Sequence, residues 1–443
     1  MARVALIGLW HLGTVAAAGL ARLGHTVHAT DPDSDTVRRL QHHEPPLYEP
    51  GLAEALSLQA AAGRLLFDAD ARLVFSRAEY IFITFDTPVD ENDQCDLSPI
   101  FTAFDTVALN ASGPVTIVLM SQVPVGTCRT LDAQLRARAP HLDFHLVYHP
   151  ENLRLGEAQR TFLLPDFLVV GAELPTAADR LISLYTGVDT SVLRMTWESA
   201  EMAKHALNTF LATSISFANE IADLAEVAAA DVRDVVRVLR ADRRIGPRSF
   251  LSPGPGFSGG TLGRDLQALR NLARRRGLST PQLDATLAVN QGRLVRVVNQ
   301  IAQACAGLRG RRVALLGLTY KPGTDTLRRS HALTLATLLR DQGAEVAAFD
   351  PRITSPRPET RDLFLAASAQ QAVSDADATI LCTPWPEFQQ LDLAALRRDA
   401  RRPLLFDCHN FLDDAAARRA GWDYWGVGIP RSAIRAERKG AGG

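Results

Sequence analysis

The stretch R-V-A-L-I-G-L-W-H-L-G-T-V-A-A-A-G-L-A-R-L-G-H-T-V-H-A-T-D, Arg3 to Asp31, decides the fold. Arg3 to Ile7 is a short apolar run, Gly8 and Gly13 bracket a turn, a helical stretch reaches about Leu23, and a second run ends on Asp31. Strand, turn, helix, strand and acid in that order are the plan of a dinucleotide-binding βαβ unit. In it Gly8 makes the turn and Gly13 lets helix and strand pack, while Asp31 is placed to hold ribose hydroxyls, which favours NAD over NADP. Trp10 stands where the fingerprint has its middle glycine. Either the pyrophosphate is displaced or the cofactor relies on its other contacts, and a cofactor-free α/β domain is the alternative. The candidate cofactor residues here are Gly8, Trp10, His11, Leu12, Gly13 and Asp31.

With 443 residues the chain exceeds one core, and about 150 residues per domain gives two or three domains. A net charge of -1 argues against nucleic-acid or membrane-surface partners, which call for a basic excess or face. No basic segment with a following apolar core opens the chain, and no apolar run reaches the ~18 residues of a spanning helix, so a cytoplasmic protein is expected. Cys95, Cys128, Cys305, Cys382 and Cys408 are scattered without metal-type spacing, so neither a disulfide nor a metal is expected. Only Lys204, Lys321 and Lys439 are lysine, against 45 arginines. Such a bias keeps lysine where a titratable amine cannot be replaced by a guanidinium, unless the placement is chance.

Tyr80 to Thr84, Val115 to Met120 and Val147 to Tyr148 are further strands, each leading into a polar loop: F-D-T-P, S-Q-V-P-V-G-T and H-P-E-N-L-R-L-G-E-A. In an open parallel sheet these loops line the carboxyl edge, where ligands bind. From Trp197 to about Ala230 the chain lacks glycine and proline and is apolar on more than one face, a long central helix of the kind that serves as spine and dimer contact. Lys204 and Asn208 are i and i+4 on it; the lysine is either a surface charge or a pocket amine. Next comes S-P-G-P-G-F-S-G-G-T-L-G-R-D, Ser252 to Asp265, with five glycines in the ten residues from Gly254 to Gly263. Such a run is a loop, either one whose stripped backbone meets a ligand or a surface linker. A helix is expected from Leu266 to about Arg276 and another near Ala285 to Ala306. Arg312 to Gly317 then restarts the strand-glycine-helix-strand-acid plan, ending at Asp350. The expected fold is α/β: two Rossmann-like doubly wound domains joined by a long central helix. The expected segments are 1–194, 195–306 carrying the glycine loop, 307–430, and a charged tail 431–443.

Taken together, Gly8, Glu49-Pro50-Gly51-Leu52, Thr87-Pro88, Asp96-Leu97-Ser98, Val123 to Thr127, Pro150-Glu151, Lys204 with Asn208, Asn219-Glu220, the glycine loop, Lys321 to Asp325, Arg328 with Ser330, and Asp350-Pro351 resemble the UDP-glucose/GDP-mannose dehydrogenase family over essentially the whole chain. The resemblance implies an NAD domain, a helical connector that forms a homodimer, and a sugar-nucleotide domain. It implies oxidation of a sugar primary alcohol, twice, to the acid. Lys204, Asn208 and Asp265 then assist hydride departure to NAD, and Glu151 and Thr261 take the family's other catalytic positions. It adds Thr87, Pro88, Gln122 and Arg328 to the cofactor residues. To the nucleotide-sugar substrate it brings Glu151, Asn152, Leu153, Lys204, Asn208, Phe257, Gly259, Gly260 and Lys321.

The chain departs from that pattern at chosen points. Thr261 stands for the cysteine that captures the aldehyde, Arg264 for a lysine, Leu155 for an acid, and Gln122 for a threonine. Asp407-Cys408-His409-Asn410 stands where the family has D-G-R. A threonine hydroxyl is barely ionised at neutral pH and needs an adjacent base. The changes remove nucleophile and water-handling groups and keep the groups suited to alcohol deprotonation. The expectation is a single two-electron oxidation ending at an aldehyde or ketone. The rival outcomes are oxidation to the acid through another thiol, Cys408 or Cys128 by elimination, and a catalytically silent sugar-nucleotide-binding homologue.

Overall fold

Strands of a parallel sheet covered on both faces are apolar without a break, and β1 (Arg3–Ile7) is one. Val4 and Leu6 enter the core on one side of its sheet, Ala5 and Ile7 the core on the other. The computed structural model describes residues 1–87, 95–258 and 261–430. The chain divides into two units, residues 1–207 with 267–272, and residues 208–266 with those from 273 onward.

In the first unit β1 is followed by β2 (Thr26–Thr30), β3 (Leu65–Phe67), β4 (Tyr80–Ile83), β5 (Val115–Leu119), β6 (Phe144–Tyr148), β7 (Phe167–Ala172) and β8 (Ser191–Met195). They form one sheet in the order β3-β2-β1-β4-β5-β6-β7-β8, parallel except where β7 runs against β6. The order reverses between β1 and β4, so the loops leaving their carboxyl ends part and open a crevice there.

The second unit repeats the arrangement. Its strands are β9 (Arg312–Leu316), β10 (Glu345–Phe349), β11 (Phe364–Leu365), β12 (Ala378–Leu381), β13 (Leu404–Asp407) and β14 (Asp423–Gly426). Their order is β11-β10-β9-β12-β13-β14, parallel throughout. Val313 and Leu315 of β9 face one core, Ala314 and Leu316 the other. The expected α/β class, two Rossmann-like sheets and a joining helix, is what the chain adopts.

The joining helix is Trp197–Ala228, and the division between the units falls within it. Met202, Phe210, Phe217 and Leu224 are exposed along it at intervals of seven or eight residues, so one stripe of this chain's helix is both apolar and uncovered. The expected helix from Leu266 begins earlier, at Leu262, and ends at Arg275. The last glycine of the run, Gly263, therefore lies in a first helical turn. The helix expected near Ala285 runs from Pro281 to Cys305, with proline at its first position, where no donor is needed. Among the described residues no helix is long and apolar enough to cross a membrane. The tail 431–443 lies outside the described residues.

Candidate active site

The turn after β1 is closed by contact rather than by composition alone. Gly8 has φ +101°, and a Cβ there would fall 2.8 Å from the Phe85 nitrogen; a Cβ on Gly13 would fall 1.7 Å from the Gly8 carbonyl oxygen. Thr84 Oγ1 donates to that same oxygen at 2.7 Å, tying the turn to the end of β4. Trp10 has φ −73° and ψ −158°, backbone that any residue adopts, and its side chain is 47% exposed. It precedes the helix His11–Arg22 without a side-chain cap, which leaves first-turn N–H groups for an anion. His11 Nε2 instead meets Glu49 Oε2 at 2.8 Å, and Leu12 is half-buried.

Asp31 accepts the Leu9 N–H at 2.6 Å on one oxygen and the Asp33 N–H at 2.9 Å on the other. It remains partly exposed, with burial raising its pKa against those two bonds. Asp350 holds the same position after β10, but one of its oxygens accepts from Leu318 N, Thr319 N, Thr319 Oγ1 and Trp385 Nε1, and the other from Arg352 N. Asp350 is buried and occupied by protein donors; Asp31 keeps capacity for a ribose. The turn, the uncapped helix start and Asp31 together fit a dinucleotide in the first unit. Thr87 Oγ1 donates to the Gln122 carbonyl at 2.9 Å, fastening the loops after β4 and β5; Pro88 lies outside the described residues. Arg328 is exposed in the second unit, two residues ahead of Ser330, whose hydroxyl donates to Leu318 O at 2.6 Å.

The central helix grips the carboxyl edge of the first sheet with three residues on one face. Glu201 accepts from Gly126 N and Cys128 N, His205 Nε2 meets Val123 O at 2.9 Å, and Lys204 Nζ donates to the Glu151 carbonyl and, at 3.1 Å, to Asn152 Oδ1. Lys204 is 6% exposed, so it is not a surface charge. The Glu151 carboxylate turns back on its own loop and accepts from Leu153 N. Glu49 is buried beneath this loop and accepts from Gly156 N at 2.9 Å and Ala158 N at 2.8 Å. Burial pushes the Glu49 pKa up, but His11 and the two backbone donors outweigh it and the net shift is downward. Glu201, His205 and Glu49 were not singled out as site residues in the sequence. The signal was there for two of them: polar residues at 201, 204, 205 and 208 repeat at the spacing of one helix face.

In the second unit Asn208 Nδ2 donates to the buried carboxylate of Asp265. The glycine loop is held at both ends of its described part, so the surface-linker reading fails. Gly254 N donates to Asn219 Oδ1 at 2.8 Å, and Gly254 O accepts from Arg293 Nε at 3.3 Å. Asn290 clasps Phe257 on both sides, accepting from its N–H at 2.7 Å and donating to its carbonyl at 3.0 Å. Gly256, at φ +100°, lies so close that a Cβ would stand 2.3 Å from Asn290 Oδ1. Phe257 packs with Ala212 and Ile215 of the central helix. Gly259 and Gly260 lie outside the described residues. Thr261 is exposed directly before the helix Leu262–Arg275, which its side chain does not cap. Lys321 is half-buried in the loop after β9.

The five cysteines are free. The Cys128 thiol is pushed up by burial and then by Glu201; the Cys408 thiol is pushed up by its contact with Cys382 and by burial. His409 Nε2 meets the Cys382 carbonyl at 2.9 Å, and burial lowers its pKa, so no fixed cation stands there. Among the described residues no group of three or more His, Cys, Asp or Glu is placed to hold a metal ion.

Two sheets of Rossmann order, with a dinucleotide turn and its strand-end acid in the first, are the architecture of a dinucleotide-binding protein. The NAD binding domain of the UDP-glucose/GDP-mannose dehydrogenase family matches residues 2–189, its central domain 198–292 and its UDP binding domain 314–414. The chain belongs to that family, and it is an NAD-dependent dehydrogenase. It is 34% identical to a UDP-glucose 6-dehydrogenase of Rhizobium meliloti over 97% of this chain and 100% of that one. It is 34% identical to the enzyme of that name in Pseudomonas aeruginosa, over 97% and 98%. Among solved structures it is similar to a UDP-glucose dehydrogenase of Pyrobaculum islandicum, with TM-score 0.89, 32% identity, and coverage of 97% of this chain and 98% of the other.

Proposed function

We propose that the chain oxidises one hydroxyl of a nucleotide sugar, by resemblance the one on C6, through a single two-electron step and releases the aldehyde or, from a secondary alcohol, the ketone. Relatives named UDP-glucose 6-dehydrogenase make UDP-glucose the first substrate to try. NAD, held by the Gly8–Gly13 turn and Asp31, supplies the hydride acceptor. Lys204 in its neutral form takes the hydroxyl proton, directly or through a water, while the C–H electron pair leaves with its hydrogen as hydride. Asn208, with one N–H given to Asp265, offers its other N–H to the reacting oxygen.

The observation that carries the single step is the state of the nucleophiles. Thr261 presents an exposed hydroxyl at the position the resemblance assigns to a cysteine, and the substitutes Cys128 and Cys408 are buried thiols with raised pKa values. A covalent aldehyde adduct needs an accessible thiolate or a hydroxyl with a base beside it. Counting NADH formed per UDP-glucose consumed, with the product mass measured, tests the reading. One equivalent and an aldehyde mass support it, and two equivalents with a uronic acid overturn it. Calorimetry showing no NAD binding would establish the silent homologue instead.

A homodimer formed on the central helix is part of the proposal. The stripe Met202, Phe210, Phe217 and Leu224 is apolar and exposed, as a surface awaiting a second copy would be. A cytoplasmic location is proposed as well, supported by the five free cysteines.

A further inference from the structure

An amine nitrogen has four tetrahedral positions. In Lys204 one is the side chain's own carbon, and two are N–H groups given to the Glu151 carbonyl and to Asn152 Oδ1. The fourth carries a third N–H in the ammonium and the lone pair in the neutral amine. The two acceptors therefore decide where the lone pair points. One of them is backbone, which any residue at 151 would supply. The other is a side chain, whose Oδ1 accepts from the amine. Asn152 is thus the single replaceable group that fixes the direction of the lone pair, on a loop that Glu49 anchors two turns of chain further on through Gly156 and Ala158.

We propose that Asn152 is a positioning residue for the base: its carboxamide oxygen orients the Lys204 amine so that the lone pair meets the substrate hydroxyl. The proposal rests on the reading of Lys204 as the base. Protons balance simply, since the hydroxyl proton becomes the third N–H of Lys204 and leaves to solvent before the next turnover. One property follows that a purely structural residue would lack. Asn152 governs kcat more than KM, because orientation of the reacting groups is realised in the chemical step.

The test compares the full-length enzyme with its Asn152→Asp, Asn152→Leu and Lys204→Ala variants, reading kcat and KM for UDP-glucose. Asn152→Asp keeps the side-chain shape and an acceptor oxygen and is expected to hold kcat within about 10-fold of the unmodified enzyme. Asn152→Leu removes the acceptor and is expected to lower kcat by about 10- to 100-fold with KM little changed. An unchanged kcat in Asn152→Leu, or a loss confined to KM, would overturn the role of Asn152. Full activity in Lys204→Ala would overturn the base itself, which separates the two failures.

Discussion

Glu201 places its two carboxylate oxygens 2.6 Å from Gly126 N and 2.8 Å from Cys128 N, across the start of the helix Thr127–Arg138. Those N–H groups have no partners inside the helix, and a negative group suits that end. Burial raises the Glu201 pKa while the two backbone donors pull it back, so the residue accepts a desolvation cost to hold the V-P-V-G-T loop. Glutamine keeps the shape but turns an NH2 toward one donor. Glu201→Gln is expected to lower stability by about 1–3 kcal/mol, the cost of an unsatisfied buried donor, in urea unfolding. A variant as stable as the unmodified chain would mean that the loop stands without the helix.

In the second unit burial, with His409 beside it, pushes the His331 pKa down to about 4, against a bond to the Phe257 backbone. The unfolded chain takes up that proton near the ordinary value of 6.5. Between those two pH values the unfolded state binds the proton and the folded state does not, so stability rises with pH across the window and is level outside it. His409, also lowered by burial, adds in the same direction. His331→Gln is expected to flatten the climb of the unfolding midpoint between about pH 4 and 6.5. An unchanged slope would remove His331 from the balance.

The Gly13 contact gives a sharper test of the dinucleotide turn. A methyl group there would overlap the Gly8 carbonyl and approach Thr84 Oγ1 to 2.7 Å, with backbone on one side and a buried side chain on the other. The helix His11–Arg22 must then shift from β1. Gly13→Ala is expected to cost about 1–3 kcal/mol, the usual penalty of overpacking, and to weaken NAD binding measured by calorimetry. Retained affinity at reduced stability would separate the packing role from the cofactor role.

Gly8, Gly13 and Asp31 were legible because their constraints are local: a turn, a close approach and a strand end lie within one βαβ unit. The central helix was legible because thirty-two residues without glycine or proline leave little else, and Lys204 stood out among alanines. What the sequence hid depends on residues far apart. Asp31 and Asp350 end the same pattern, but Asp350 is consumed by Trp385, thirty-five positions away. A glutamate on a helix ordinarily faces water, so the spacing that puts Glu201 on the face of Lys204 did not say which loop it holds. The start of the helix at Leu262 was hidden by Gly263, which reads as loop beside the other glycines.

That difference between the two acids makes a paired prediction. Each Asp31 oxygen takes a single backbone N–H and the residue is partly exposed, whereas Asp350 is buried and one of its oxygens takes four protein donors. Asp31→Asn is expected to weaken NAD binding with a small change in unfolding midpoint. Asp350→Asn is expected to do the reverse, losing about 1–3 kcal/mol by leaving buried donors unmatched, with NAD binding retained. Exchanged outcomes would assign the dinucleotide to the second sheet.

Roles at the reacting carbon separate by kinetics. Lys204 is buried, with two N–H groups committed, whereas Thr261 is exposed and its hydroxyl does not even cap the helix it precedes. Lys204→Ala is expected to lower kcat by roughly 10²-fold or more, the range for removal of a general base, and Thr261→Ala to leave both the rate and the yield of one NADH nearly unchanged. Thr261→Cys adds a thiol beside first-turn N–H groups, which favour the thiolate. That thiol is expected to react with iodoacetamide faster than the buried Cys128 or Cys408, and NADH counted per UDP-glucose in the unalkylated variant measures whether sulfur at this position supports a second oxidation. Complete loss in Thr261→Ala, matching Lys204→Ala, would mean that the hydroxyl performs covalent work and that the single-step reading is wrong.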